Sequence, residues 1–134
     1  MSTGAGHLGN CFAAGALGGL ANAVAVWLAG ASGFTAALKV NLAPALTSGL
    51  IYQRMVWGGI FGLLMFLPLF RRSIFWRGVI FSLAPSAVQL LAIFPQAGQG
   101  LYGLALGTLT PALVLLFNFI WGWFAAAWLR GSDQ

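Results

Sequence analysis

The chain has 134 residues, of which 60% are hydrophobic and 5% are charged, and its formal net charge is +5. A soluble globular domain carries about 25% charged residues, so this composition excludes that class and indicates an integral membrane protein. About 20 apolar residues are needed for each membrane crossing, which leaves room for four spanning helices with short loops, and we expect a single membrane domain over residues 1–134.

The first predicted span covers residues 9–31, with the sequence GNCFAAGALGGLANAVAVWLAGA. A cleaved signal peptide is the alternative, because the AGA at residues 29–31 has the small residues of a cleavage site. However, no Lys or Arg precedes the run, and the run is longer and richer in glycine than the apolar core of a signal peptide. We therefore expect an uncleaved membrane helix.

A more polar segment, SGFTAALKVNLAPALTSG, follows at residues 32–49. Lys39, Asn41 and Pro44 interrupt its small apolar residues, and the segment is too short and too polar to span a bilayer by itself. We interpret it as an interfacial or re-entrant connector between the first two spans.

Three further apolar runs predict spans at about residues 50–70, 78–94 and 101–129. The last run is longer than a bilayer requires, so we expect it to tilt, to kink at Pro111 or to project beyond the membrane. The predicted fold is thus an all-α membrane protein, a compact glycine-rich bundle of four transmembrane helices with a connector after the first span.

The basic residues predict the orientation. Arg71, Arg72 and Arg77 crowd the link between the second and third spans, which places that link in the cytoplasm. Four spans then place both termini in the cytoplasm, as expected for a bacterial inner-membrane protein; Arg130 agrees with this orientation, and Lys39 falls on the outer side. Because these charges flank apolar runs and form no dense patch, we expect no nucleic-acid partner.

Small residues recur along one face of each span. Helices in lipid associate through close backbone approach at small residues and through hydrogen bonds between helices, so we expect these faces to point inward. Contacts with further subunits or with a second copy of the chain could use the same faces. The predicted packing glycines, spaced four residues apart in pairs, are Gly15, Gly19, Gly58, Gly62, Gly103 and Gly107.

Polar side chains in all four predicted spans fall at similar depths. At about 1.5 Å of rise per residue, Asn22 and Gln89 lie slightly to the outer side of the midplane, and Arg54 lies about one turn further out, at roughly the level of Thr110. We expect these four residues, one from each helix, to surround one outward-facing polar pocket. Simple hydrogen bonding of each amide to a neighbouring helix is the alternative.

Arg54 is the main functional candidate, because the only acidic residue, Asp133, belongs to the predicted opposite side. An intramembrane charge that faces the bundle indicates a functional site. We hypothesise that Arg54 binds a partner's carboxylate or the phosphate of a lipid or solute, with Gln53, Asn22 and Gln89 lining the approach. Alternatively, Arg54 snorkels to the lipid headgroups as an interfacial anchor.

The sequence lacks the usual parts of an active site. No predicted span contains a carboxylate, which removes the commonest proton or sodium relay, and no hydrolytic triad or metalloenzyme motif is present. His7 and Cys11 are the only residues of their types, so we expect no metal or cofactor within one chain, although His7 could contribute one ligand to a shared site.

Two functions agree with these observations. We favour a non-catalytic accessory or structural subunit of a larger membrane complex, in contact with membrane lipids and with other subunits or further copies of itself. The alternative is a small oligomeric channel or carrier for a neutral or anionic solute.

Overall fold

The computed structural model describes residues 4–132, which are 78% helical and contain no β-strand. Asp133, the acidic residue singled out above, lies outside the described residues. The α-helices between these limits are α1 (Gly4–Ala31), α2 (Phe34–Ala37), α3 (Ser48–Gly62), α4 (Ile74–Val88), α5 (Phe94–Gln96) and α6 (Thr110–Ser132).

Two other helical forms lengthen the spans. A 3₁₀ turn, Leu63–Phe66, extends α3, and a π-helical segment, Gln89–Ile93, joins α4 to α5. Four helices in the described part of the chain are consequently long and apolar enough to cross a membrane, as predicted: Gly4–Ala31, Ser48–Phe66, Ile74–Gln96 and Thr110–Ser132.

Side-chain caps explain why the two middle spans begin before their apolar runs. The Thr47 hydroxyl accepts a hydrogen bond from the Leu50 N–H at 3.1 Å, and the Ser73 hydroxyl accepts one from the Trp76 N–H at 3.1 Å. Each hydroxyl satisfies one of the N–H groups that the first turn of a helix leaves without a partner.

The fourth span is shorter than predicted, and the kink at Pro111, one of the three alternatives considered for it, is not present because Pro111 lies at the start of the helix. Residues 101–109 form a 3₁₀ turn, Leu101–Gly103, followed by a loop, and Tyr102, Gly103 and Gly107 have φ angles of 59°, 69° and 152°, which no α-helix contains. α6 begins at Thr110, so Pro111 occupies its first turn, where the missing N–H of proline breaks no helical hydrogen bond.

Gly103 and Gly107 therefore precede the fourth spanning helix and do not form the glycine pair that was expected on its face. A Cβ at Gly103 would approach the Phe94 ring to 2.6 Å, and one at Gly107 would approach Val40 Cα to 3.0 Å and overlap the Lys39 carbonyl oxygen. The two glycines instead let the loop lie closely against the end of the third span and against the connector.

The other four predicted packing glycines lie where α1 meets α3. The two backbones approach so closely that a Cβ added at Gly15 would lie 2.8 Å from Gly62 Cα, and one added at Gly19 would overlap the Arg54 carbonyl oxygen. A Cβ at Gly58 would lie 3.1 Å from Gly19 Cα.

The long helices are antiparallel neighbours in the order α3, α1, α6, α4. α1 contacts both α3 and α6, and α6 also contacts α4, where Gly78 lies against Gly122. In contrast, α3 and α4 are scarcely in contact with each other. The bundle is therefore open along the line between these two helices.

One end of the bundle carries Arg71, Arg72 and Arg130 and is called the arginine end. Its interior is filled by side chains that are at most 5% exposed, namely Cys11, Ala14, Met65, Phe81, Trp121, Ala125 and Leu129. This cluster packs the inside of the bundle from the middle of α6 to the arginine end.

Arg77, which the sequence placed in the link between the second and third spans, is a buried residue of α4. It lies in the first turn of α4, is 2% exposed and donates a hydrogen bond from Nη2 to the Met65 carbonyl oxygen at 2.6 Å. Its guanidinium thereby binds a carbonyl in the 3₁₀ turn that ends the second span, where helical carbonyls lack intrahelical donors.

At the opposite end, called the connector end, the connector packs against the loop before α6. The Asn41 N–H donates to the Leu106 carbonyl at 2.8 Å, and the Thr35 hydroxyl donates to the Leu42 carbonyl at 3.0 Å. Val40 is 3% exposed and packs with residues of α1 and α6.

Candidate functional site

A cavity of about 450 Å³ lies in the opening between α3 and α4, and is called the α3–α4 groove. α3 and the helical residues around the π-helical segment form its two walls, and α1 and α6 form its floor. The residues discussed below line it: Gly19, Asn22, Gln53, Arg54, Trp57, Phe61, Pro85, Val88, Gln89, Ala92, Ile93, Gln96, Asn118 and Trp121.

Three of the four residues assigned to one pocket from the sequence, Asn22, Arg54 and Gln89, line this groove, and so does Gln53, which was expected to line the approach to Arg54. The fourth, Thr110, does not line the groove and is fully buried at the start of α6. Asn22 is 3% exposed, Arg54 and Gln89 are half-buried, and Gln53 is exposed. The structure thus brings together side chains from α1, α3 and the start of the π-helical segment.

Hydrogen bonds connect Arg54 to the other three long helices through a polar chain. Arg54 Nη1 donates to Asn22 Oδ1 at 2.7 Å, and Asn22 Nδ2 donates to the Phe117 carbonyl at 2.9 Å and to Asn118 Oδ1 at 3.3 Å. Asn118 Nδ2 then donates to Ser86 Oγ at 2.9 Å. The chain runs from α3 through α1 and α6 to α4, so a change at any link affects how Arg54 is held.

Asn118 and Ser86 were not assigned to the site from the sequence. Asn118 is 6% exposed and Ser86 is 2% exposed, so both bury polar atoms that need partners. The available signal was helical spacing, because Ser86 lies three residues before Gln89 and shares its face.

The charge of Arg54 meets no carboxylate in residues 4–132, because the chain's only acidic residue lies beyond them. Asn22 is the hydrogen-bond partner of Arg54 in that range, and the bond uses one of the five N–H groups of the guanidinium. Donors on Nε and Nη2 therefore remain for a group that enters the groove.

The π-helical segment shapes the wall opposite Arg54. Pro95 has no N–H to donate to the Leu91 carbonyl, so an ordinary α-helical bond is unavailable there and the backbone widens in the preceding turn. The widened turn places Gln89, Ala92 and Ile93 along the groove. Such turns occur frequently at functional sites.

The histidine and the cysteine lie away from this site, near the arginine end. His7 Nε2 and Cys11 Sγ are 3.9 Å apart on successive turns of α1. Within residues 4–132, no group of three or more His, Cys, Asp or Glu side chains is placed to hold a metal ion.

The groove combines a guanidinium and several amides with apolar walls. Arg donors bind carboxylate or phosphate oxygens in pairs, and the aromatic and aliphatic walls suit alkyl groups. No protein-family model, curated protein or solved structure matches the chain. The functional argument therefore depends on the geometry of the groove.

Proposed function

We propose that this chain is a non-catalytic accessory subunit of a larger membrane assembly, and that Arg54 holds an anionic group in the α3–α4 groove. The supporting observation is a guanidinium that is bonded to a neutral amide, with donors left over, inside a groove between two apolar helices. A charge in a spanning helix is costly, so it usually pairs with an opposite charge or with backbone carbonyl groups. Residues 4–132 contain no carboxylate side chain that could pair with Arg54.

The packed interior favours a subunit over a conduit. Trp121 forms part of the groove floor, is 3% exposed and donates from Nε1 to the Gly15 carbonyl at 3.0 Å. Beyond it, the buried cluster that includes Met65 and Leu129 fills the arginine end. A solute in the groove would have to displace these side chains to cross a single bundle.

One observation supports a small channel or carrier as a second candidate. The cavity volume of about 450 Å³ is within the range of about 300–1,000 Å³ that is typical of small-molecule sites. An anionic solute bound by Arg54 would then move when the helices around the floor rearrange, either in one chain or in a homo-oligomer.

We also propose a location in the bacterial inner membrane with both termini in the cytoplasm. Arg71 and Arg72 are exposed in the turn between α3 and α4, and Arg130 is exposed near the end of α6, so three basic residues border the same end of the bundle. In this orientation the connector is interfacial, and Arg54 lies in the outer half of the bundle.

Co-purification in mild detergent tests the proposed function. We expect the wild-type chain to retain other polypeptides in fixed stoichiometry, Arg54→Gln to lose them without loss of folded protein, and Arg54→Lys to retain a part, because an ammonium lacks the paired donors of a guanidinium. Arg130→Gln is the matched control and should behave as wild type, since Arg130 is exposed at the other end of the bundle.

Two results would contradict the proposed function. If Arg54→Gln retained the same co-purifying polypeptides as the wild type, Arg54 would have no role in assembly. Solute flux in liposomes that contain the purified homo-oligomer alone would favour the channel or carrier instead.

A further inference from the structure

We infer that the anionic group in the α3–α4 groove is the phosphate of a membrane phospholipid, with an acyl chain lying between α3 and α4. This inference rests on the proposed function, because it names the group that Arg54 holds. Its three supports are the depth of Arg54, the distribution of polar and apolar walls along the groove, and the residues available for packing a partner helix.

The depth of Arg54 suits a lipid headgroup. The second span, Ser48–Phe66, has 19 residues and is therefore about 28 Å long, close to the thickness of the hydrocarbon core of about 30 Å. Arg54 lies six residues from the start of this span, or about 9 Å, and its side chain leans toward that start. A guanidinium on such a side chain reaches the level of lipid phosphates.

Three glutamines line the connector side of the groove, among apolar residues that include Leu42 and Ile93, and aromatic residues of α3 line the groove toward the middle of the bundle. Gln53 precedes Arg54 along α3, and Gln89 and Gln96 lie on the part of the opposite wall that runs toward the connector end. Trp57 and Phe61 follow Arg54 by about one and two turns in the opposite direction.

A phospholipid has the same order of groups, a polar headgroup followed by an alkyl chain. A small hydrophilic anion would bind the guanidinium and leave the aromatic walls without a partner. Trp57 is 55% exposed and Ile93 is 52% exposed, so the groove also opens toward the surroundings of the bundle, where lipid is present.

The walls are unsuited to a partner helix. Close helix packing requires small residues, but Gly58 and Gly62 face α1, and Gly78 faces α6. A flexible alkyl chain does not require small residues in the walls.

Phospholipid content after purification tests the inference. We expect about one retained phospholipid per wild-type chain, and a loss of about tenfold or more in Arg54→Gln, which removes charge-assisted hydrogen bonds to phosphate. Arg130→Gln should retain the wild-type amount. Trp57→Ala should lower retention by removing a wall, whereas Trp76→Ala, a change at a tryptophan of similar exposure outside the groove, should not.

Measurements of the unfolding temperature distinguish a phospholipid from free phosphate as the group bound by Arg54. Phosphatidylglycerol added to delipidated wild-type protein should raise the unfolding temperature, while diacylglycerol, which lacks the phosphate, and sodium phosphate, which lacks the chains, should not. Arg54→Gln should lose the response to phosphatidylglycerol. Equal stabilisation by sodium phosphate would identify a solute-anion site and overturn the inference.

The inference and the proposed function fail differently. If Arg54→Gln keeps its phospholipid but loses co-purifying subunits, Arg54 binds a partner's carboxylate, so the inference is wrong and the proposed function stands. If Arg54→Gln changes neither phospholipid content nor co-purification, both are wrong.

Discussion

Asn22 accepts a hydrogen bond from Arg54 across the contact between α1 and α3, at 2.7 Å from Nη1 to Oδ1. The orientation of the Asn22 amide is set from its other side, because Nδ2 donates to the Phe117 carbonyl at 2.9 Å. That carbonyl accepts and cannot donate, so the amide oxygen must face Arg54. α6 therefore helps to position the Arg54 guanidinium of α3 through Asn22, which hydrogen-bonds to both helices.

Replacing Asn22 with Ala should destabilise the protein by about 1–3 kcal/mol, since Arg54, Phe117 and Asn118 would all lose a buried hydrogen-bond partner. Asn10→Ala is the control, because Asn10 also bonds from α1 to α6 but at exposed side chains, and we expect a change within about 0.5 kcal/mol. Thermal unfolding in detergent measures both. Equal losses of unfolding free energy in the two variants would show that the buried hydrogen bonds of Asn22 stabilise the protein no more than the exposed hydrogen bonds of Asn10.

The contact between α1 and α3 should not accept a side chain at Gly19 or Gly58. Gly19→Leu and Gly58→Leu each place a side chain against backbone of the neighbouring helix, so we expect losses of about 1–3 kcal/mol or more. Gly9→Leu is the matched control, because Gly9 lies on the same helix as Gly19 and has no atom within 4 Å of an added Cβ. Yield and unfolding temperature in detergent measure the difference, and a Gly19→Leu protein as stable as Gly9→Leu would show that the two backbones are not in contact.

Arg77, which is buried, should contribute to the stability of the protein, whereas Arg72, which is exposed in the preceding turn, should not. Arg77→Leu leaves the Met65 carbonyl without its donor, so we expect a loss of about 1.5–3 kcal/mol. Arg72→Leu changes an exposed side chain in the turn before α4, and its effect should stay within about 0.5 kcal/mol. Denaturation of the two variants side by side tests the role of Arg77. A larger loss of unfolding free energy in Arg72→Leu than in Arg77→Leu would contradict it.

Labelling of introduced cysteines tests the proposed orientation. In a Cys11→Ala background, a membrane-impermeant thiol reagent added from outside should reach Ala97→Cys at the connector end and miss Leu69→Cys in the turn between α3 and α4. Both positions are exposed, so access to the side chains does not distinguish them. Labelling at Leu69→Cys alone would reverse the proposed topology.

The sequence predicted the four helices and the grouping of Asn22, Gln53, Arg54 and Gln89, because both depend on helical periodicity and rise. Successive side chains of an α-helix are rotated by about 100° around the helix axis, and each residue advances the helix by about 1.5 Å. These two values are sufficient to predict which face of a helix a residue lies on and how deep it lies in the membrane. The predicted inward position of Gly15 and Gly19 follows from the same rule, and the structure places both glycines against α3.

Periodicity did not predict residues 101–109, where leucines suggest a span but the backbone turns at Gly103 and Gly107. Hydropathy measures how apolar a segment is, and a loop packed against the bundle is as apolar as a helix. The burial of Arg77 was missed for a related reason: one arginine among three near a span boundary has no local feature that distinguishes it from the exposed two. Its partner, Met65, belongs to another helix.

The order α3, α1, α6, α4 also affects how the protein assembles during synthesis. α1 with α3, and α4 with α6, are two antiparallel hairpins whose helices are close in sequence, and the hairpins meet chiefly where the first helix packs against the last. The first hairpin can form while the ribosome is still making the second, but the two halves gain their shared surface only after α6 is inserted. Separate expression of the halves, divided in the turn between Phe66 and Ile74, should consequently give two fragments that recombine in the membrane through α1 and α6.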